Sequence, residues 1–441
     1  MNRIGFLAAS VPALVCLPSA RADVLVVDPN GGAGTFATIR AAVQAAHDED
    51  AILVKSGTYY GFEIDGKALS ILADSGAKAM VEARGKVENL PAGKIVVLDG
   101  LNFSGSVSED SFPDEDNSGL YVHANAGPVR VQDCTIVGGF GFDEPFCGCA
   151  YSGECDGGFG AMVVSNPAGV AFVGCSIAGG SSAGVYACDC EIAVTGTRNG
   201  NTGLLVKDTV VALYDCSIRG GSGGPGCNNA GDGGRGMRVT PDAALTGVVL
   251  SGCTVRGGTG GGDPEAGQCV HGGNGGDAMV VDPGTSSWIL DSSIAGGTGA
   301  HGTLSSGTNG QTLIGSGDVF QFPEPRLKLD FPSPVRESQT VPVTVRGRPG
   351  DEVFAYMAPV TPFRPLTAWH GVLLASAPHP MFVAVLGTIP ASGVLSGSFT
   401  APELPPSEKA GRWFVQVWRR SAIDGRTLGS LRVLNVLDSS L

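Results

Sequence analysis

The sequence predicts an all-β protein: a right-handed parallel β-helix with an N-terminal capping helix, followed by a β-sandwich-like domain. Three observations carry this prediction. A short motif recurs through the middle of the chain, two strand-like segments precede each copy, and the repeat stops at a Pro-rich stretch near residue 320.

The motif is Asp133-Cys134-Thr135-Ile136-Val137-Gly138-Gly139. It returns as Gly174-Cys175-Ser176-Ile177-Ala178-Gly179-Gly180, as Asp215-Cys216-Ser217-Ile218-Arg219-Gly220-Gly221 and as Gly252-Cys253-Thr254-Val255-Arg256-Gly257-Gly258. Asp291-Ser292-Ser293-Ile294-Ala295-Gly296-Gly297 carries Ser in the Cys slot, and Gly100-Leu101-Asn102-Phe103 is a degenerate early copy. Segments such as Gly203-Leu204-Leu205-Val206-Lys207 and Val211-Ala212-Leu213-Tyr214 supply the other two strands of a unit. Three short strands close one triangular coil. A lone coil cannot bury its inward face, whereas stacked coils can. Roughly nine coils at a strand spacing of about 4.8 Å make a rod about 40 Å long.

The Cys-to-Cys spacings of 41, 41 and 37 exceed what a coil needs. The surplus follows each Gly-Gly, in loops such as 140–159 and 222–235, so every long insertion leaves from one corner. Insertions on one face of a solenoid often form its binding surface.

The domains are expected at 1–22, 23–320 and 321–441. Asn2-Arg3, an apolar run over 4–17 and the small residues of Ala20-Arg21-Ala22 form a secretory signal pattern. Cleavage would start the mature chain at Asp23 and place it outside the cell or on its surface. The run is short for a membrane span and no second one follows, so no transmembrane segment is expected. Phe36, Ile39, Val43 and Ala46 fall at helical spacing in 35–47, where a helix would cap the first coil. After Phe322-Pro323-Glu324-Pro325, strand signals at 341–345, 353–357, 382–386, 413–418 and 431–437 fit a sandwich. Its expected role is surface attachment, partner binding or capping of the rod's far end. Trp369, Trp413 and Trp418 are expected in its core, with sugar stacking as the sharper alternative.

Composition narrows the partners. The 441 residues include 69 Gly and carry a net charge of −14. Residues 321–441 hold 12 basic and 9 acidic groups, which leaves 14 basic against 33 acidic in 23–320. So acidic a rod repels nucleic acid. It also repels acidic polysaccharide unless a cation intervenes, and calcium is the natural one because it takes carboxylate oxygens.

The stretches Gly34-Thr35-Phe36-Ala37-Thr38-Ile39-Arg40-Ala41-Ala42-Val43 and Val54-Lys55-Ser56-Gly57-Thr58-Tyr59 resemble the opening of the pectate-lyase-like right-handed β-helix superfamily. The resemblance spans about residues 30–320. It implies the fold but does not choose among lyases, hydrolases, epimerases and adhesins, all of which use it. The superfamily's lyases commonly pair Arg or Lys with calcium held by Asp and Glu. That implies Arg219 and Arg256 as catalytic candidates, with Asp263, Glu265 and Asp277 as metal ligands and Asp232 and His271 nearby. The bland alternative is that loop acids neutralise two stacked Arg side chains. The hydrolase motif set is absent, and Asp133, Asp215 and Asp291 fit a tight turn better than a catalytic pair. Gly272-Gly273-Asn274-Gly275-Gly276-Asp277-Ala278-Met279-Val280 matches a calcium-binding nonapeptide once, where such sites need tandem copies.

Cys134, Cys175, Cys216 and Cys253 are expected as a buried ladder of thiols acting as small apolar side chains. Stacking also leaves room in principle for disulfides along the ladder. Loop register allows Cys147–Cys188, Cys149–Cys190 and Cys227–Cys269 disulfides, with Cys155 left over. In an exported chain these are favoured over a metal site, since zinc sites usually show C-x₂₋₄-C spacing. Phe140, Phe142, Phe146 and Tyr151 are candidate glycan- or protein-binding aromatics, or else the private core of their loop. Two functions follow: a non-catalytic surface module that binds polysaccharide or a cell-surface component, and a calcium-dependent polysaccharide lyase.

Overall fold

The computed structural model describes residues 22–106, 117–141, 156–182, 199–226, 229–242, 246–262, 270–375 and 382–441. Residues 1–21 of the signal region, Phe142, Phe146, Tyr151, Asp263, Glu265 and all the loop cysteines lie outside them.

The chain winds into a right-handed parallel β-helix with three faces. An 11-stranded parallel sheet forms the first. Its strands run from Val24–Val27 through Val129–Gln132 and Val170–Val173 to Asp318–Phe322. The second face stacks Leu101–Ser104, Thr135–Val137, Ser176–Ala178, Ser217–Arg219, Thr254–Arg256 and Ser293–Ala295. The third stacks Leu120–His123, Ala161–Val164, Leu204–Lys207, Met237–Thr240, Met279–Val281 and Leu313–Gly315. The long strand Ala79–Glu88 bends from the second face into the third, pairing Ala79 with Leu101 and Gly85 with Leu120.

Register follows the repeat. Ile136, Ile177, Ile218 and Val255 are successive partners and point inward, fully buried. The residue that opens each copy sits at a sharp corner with positive φ: Asp133 (50°), Gly174 (64°), Asp215 (54°), Gly252 (67°) and Asp291 (40°). That corner admits Gly or, less readily, a short polar side chain such as Asp, which explains the alternation. Next to it the four ladder cysteines are buried free thiols, with no disulfide along the ladder. Burial pushes the Cys134 and Cys216 thiols well up. The Cys216 Sγ contacts the Tyr214 carbonyl at 3.3 Å. In the same slot Ser292 Oγ donates to the Leu290 carbonyl at 2.7 Å, so the position is one of packing and not of chemistry. On the corner between the third and first faces, Asn125 Nδ2 donates to Asn166 Oδ1 at 2.8 Å, a buried step the sequence reading did not single out.

A helix, Ile39–Ala45, covers the first coil with Ile39, Ala42 and Val43. The Thr38 hydroxyl caps it by accepting the Ala41 N–H at 3.2 Å. It is shorter than 35–47 because Thr35–Phe36 pairs with the first strand instead.

The described parts of the insertions are not irregular loops. After each second-face strand the chain leaves the corner as an extended segment and returns alongside, and the segments form two layers. One run of N–H···O bonds, 2.7–3.1 Å long, crosses between them from Gly139–Asn117 through Gly180–Gly158, Gly221–Asn201, Gly234–Gly221, Gly258–Gly234 and Gly276–Gly258 to Gly310–Gly297. Within the outgoing layer the bonds recur every third residue, as in Gly220 N–H to Arg256 O and Gly223 N–H to Thr259 O, both 2.9 Å. A period of three with no internal bonds is the polyproline II helix. Gly fills most of the inner positions, two in every three, because a Cβ on Gly257 would lie 1.8 Å from the Gly276 carbonyl and one on Gly258 1.8 Å from that of Gly221; Asn117 and Asn201 are exceptions in that run. Gly220-Gly221-Ser222-Gly223-Gly224-Pro225 and Gly257-Gly258-Thr259-Gly260-Gly261-Gly262 spell out that period.

The C-terminal part is a sandwich of a five-stranded and a three-stranded sheet. Its long hairpin, Ala410–Ser421 and Gly425–Leu437, lies along the rod. It does not cap the far end: it docks side-on against the first face. Leu53, Leu72, Val97, Ala171, Val173, Ala212, Tyr214 and Val249 meet Val372, Leu374, Phe414, Leu431, Val433 and Leu437 in one apolar cluster. The first-face strands beneath the sandwich, such as Ala51–Val54 and Ser70–Ala73, are therefore buried on both sides, which explains their near-unbroken apolar text. Trp418 is 8% exposed and stacks on Phe354 at 4.1 Å, while Trp369 lies 5.3 Å away, so both belong to the sandwich's aromatic cluster. Trp413 packs against the sandwich core.

Candidate functional site

The turn aspartates are engaged elsewhere. Arg432 grips Asp133 at 2.7 and 2.6 Å. Arg326 reaches Asp215 at 3.0 Å and its N–H donates to Asp291 at 3.2 Å. Arg336 pairs with Asp74 at 3.0 Å and Arg412 with Glu49 at 2.9 Å. Thus cations of the sandwich meet carboxylates of the acidic rod, and these are docking contacts.

The Gly slab divides the remaining candidates between two surfaces. Its outgoing layer continues the second face. Because outward positions repeat by two in the strand and by three in the slab, equivalent residues line up in rows down the rod. One row is Thr135, Ser176, Ser217, Thr254 and Ser293. The next is Val137, Ala178, Arg219, Arg256 and Ala295. The third is Phe140, Ser181, Ser222, Thr259 and Thr298, tied by Thr259 Oγ1 to Ser222 Oγ at 3.0 Å. Phe140 is 55% exposed. Arg219 and Arg256 are direct register partners, both exposed, and among the described residues neither makes an ion pair. They are the only ionisable groups in these rows.

The returning layer continues the third face and faces the other way. Here side-chain oxygens take the N–H of the next coil: Asp232 Oδ1 from Asn274 at 2.7 Å, Asn199 Oδ1 from Asp232 at 2.9 Å and Asp277 Oδ1 from Gln311 at 2.8 Å. His271 Nδ1 meets Ser305 Oγ at 2.8 Å on the same layer. Asp277, Asp232 and His271 therefore do not converge on the arginine pair, which corrects the expectation of one cluster at the foot of the loops. The nonapeptide match is one returning strand of the slab. Among the described residues no three His, Cys, Asp or Glu groups converge to hold a metal.

The hydroxyl rows beside the arginines were missed in the sequence. The signal that finds them is the Gly-Gly-x period of three, which puts every x on the outer surface.

Fold and site define a right-handed parallel β-helix protein with a polyglycine slab at one corner and a sandwich docked along one face. Among the described residues no helix is long and apolar enough to cross a membrane. No family model and no curated protein matches the sequence. Two similar solved structures are pectate lyase Pel9A and a phage tailspike. The first is 13% identical with a TM-score of 0.30, over 65% of this chain and 78% of that one. The second, full-length tailspike protein 2 of Escherichia coli O157:H7 bacteriophage CAB120, is 10% identical with a TM-score of 0.27, over 93% of this chain and 68% of that one. The fold assignment rests on strand order and register, not on these distant likenesses.

Proposed function

We propose that this is an exported or cell-surface β-helix protein that binds an anionic polysaccharide, without cleaving it, across its second face and the adjoining slab. The observation that carries the reading is the exposed Arg219–Arg256 step between two hydroxyl rows, which makes no ion pair among the described residues. Two arginines on adjacent strands, their backbones about 4.8 Å apart, can both reach the oxygens of one carboxylate or sulfate, and the Ser/Thr rows suit sugar hydroxyls. The strongly acidic rod around them sharpens selectivity, since a polyanion is attracted only where the cations stand. Phe140 adds an apolar contact for a sugar face. Binding is preferred to lysis because the described acids Asp232 and Asp277 hold the returning layer together on the other side.

The test is titration calorimetry with polygalacturonate, alginate and a sulfated glycan, with neutral dextran as control. Arg219→Ala and Arg256→Ala should each weaken binding of the preferred anion about tenfold or more, the worth of one charged hydrogen-bonded contact. Equal affinity of both variants and wild type would overturn the reading. Release of unsaturated uronate that stops with EDTA would replace it with the calcium-dependent lyase.

A further inference from the structure

The beginning of the first strand holds a buried acid that has no lysine or arginine partner among the described residues. Asp50 is 2% exposed. Its Oδ2 accepts the His47 N–H at 2.8 Å and its Oδ1 accepts the Asp23 N–H at 2.8 Å. The exposed His47 ring stands 3.8 Å from it, and among the described residues no lysine or arginine pairs with it. Lys409 is taken by the Asp23 carboxylate at 3.2 Å, and Arg412 by Glu49. A buried carboxylate is costly unless a cation or several donors satisfy it. Ala22, the residue before Asp23, lines a cavity of about 230 Å³ between rod and sandwich, together with Glu49, Glu408 and Arg412.

Ala20-Arg21-Ala22 carries small residues where a leader peptidase requires them. Hydrolysis of the Ala22–Asp23 bond consumes one water. It leaves a carboxylate on Ala22, which departs with the leader, and an amine on Asp23, which takes a proton at neutral pH. The single amide N–H that already points at Asp50 becomes an ammonium with three donors at the same place. We propose that the α-ammonium made by this cleavage is the counter-ion of Asp50. It locks the first strand to the corner beneath the capping helix and turns its remaining donors toward the cavity carrying Glu49 and Glu408. Processing then completes the fold of the rod's leading end as well as releasing the protein.

The test compares three full-length mature chains: one beginning at Asp23, one beginning at Ala22, and the Asp23 chain with Asp50→Asn. Mass spectrometry of the exported protein should find Asp23 first; a retained leader or another terminus would overturn the proposal. The Asp23 chain should melt about 1–2 °C above the Ala22 chain, the shift expected for about 1 kcal/mol in a chain of this size. Its α-amine should react with an acylating reagent at neutral pH about tenfold more slowly than that of the Asp50→Asn chain, for one unit of raised basicity. The labelling comparison separates pairing from a general loss of stability. Equal melting of the two wild-type chains, or equal labelling of the two Asp23 chains, would overturn it.

Discussion

Asp99 sits at the centre of the rod–sandwich contact, fully buried, and its removal as a charge should stabilise the protein. Its Oδ2 accepts from Gln132 at 2.7 Å, Ser333 at 2.9 Å and Asn435 at 3.0 Å, while among the described residues Oδ1 has no partner. Burial, with the nearby charge of Asp133 adding to it, pushes the carboxyl up from 3.8 to about 7, against the pull of Arg432 and the hydrogen bonds. A folded value above the unfolded one means that the native state keeps its proton after the unfolded chain has lost it. Stability therefore falls as pH rises from about 4 to about 7 and stays low above. The gap of about 3 units is worth on the order of 4 kcal/mol. Asp99→Asn keeps an oxygen for the same three donors and removes the ionisation, at a cost of about 1 kcal/mol in hydrogen-bond geometry. The variant should be more stable than wild type at pH 8 by a few kcal/mol, and level with it or slightly weaker at pH 4. Urea unfolding followed by tryptophan fluorescence reads this, since Trp288 lies in the contact and Trp369, Trp413 and Trp418 in the sandwich. Parallel pH profiles for the two proteins would refute the reasoning.

Three further outcomes are expected. Gly258→Ala places a Cβ 1.8 Å from the Gly221 carbonyl and should cost about 3 kcal/mol or more, whereas Ser222→Ala, on the outer surface, should stay within about 0.5 kcal/mol; thermal melts compare them. Cys134, Cys175, Cys216 and Cys253 should resist alkylation by iodoacetamide in the native protein and react once it is unfolded. Cys216→Ser should cost only about 1 kcal/mol, because the Tyr214 carbonyl is placed to accept its hydroxyl. Arg432→Ala strips Asp133 of its bidentate partner and should cost about 2–3 kcal/mol, seen as faster proteolysis between rod and sandwich at unchanged far-UV circular dichroism.

The rod was legible because its information is local and repeated. An inward Ile, a Cys beside it and an Asp or Gly at the corner return once per coil, and stacking converts each repeat into a register partner. The helix Ile39–Ala45 was visible in its apolar spacing, and the sandwich in its strands between Pro and Gly turns. The slab was present in the text as Gly-Gly-x but resembled irregular loop, since a polyproline II segment has no internal bonds and gains its structure only from neighbours.

The candidate site was half legible. Arg219 and Arg256 stand together as the 37-residue spacing requires, yet Asp277 and His271, close to them in sequence, lie on the opposite layer. No feature of sequence distance distinguishes the outgoing from the returning limb of a hairpin. The sandwich's position is the clearest case. Unbroken apolar strands such as Ala51-Ile52-Leu53-Val54 announce that something covers the first face, but only the fold shows that it is the chain's own C-terminal hairpin. The sequence by itself determined the coil, its period and its buried thiols, because these depend on contacts between equivalent positions. Only tertiary structure decided which surface carries Arg219 and Arg256 and that the described acids Asp232 and Asp277 lie on the opposite layer, because those facts depend on how distant segments are brought together or kept apart.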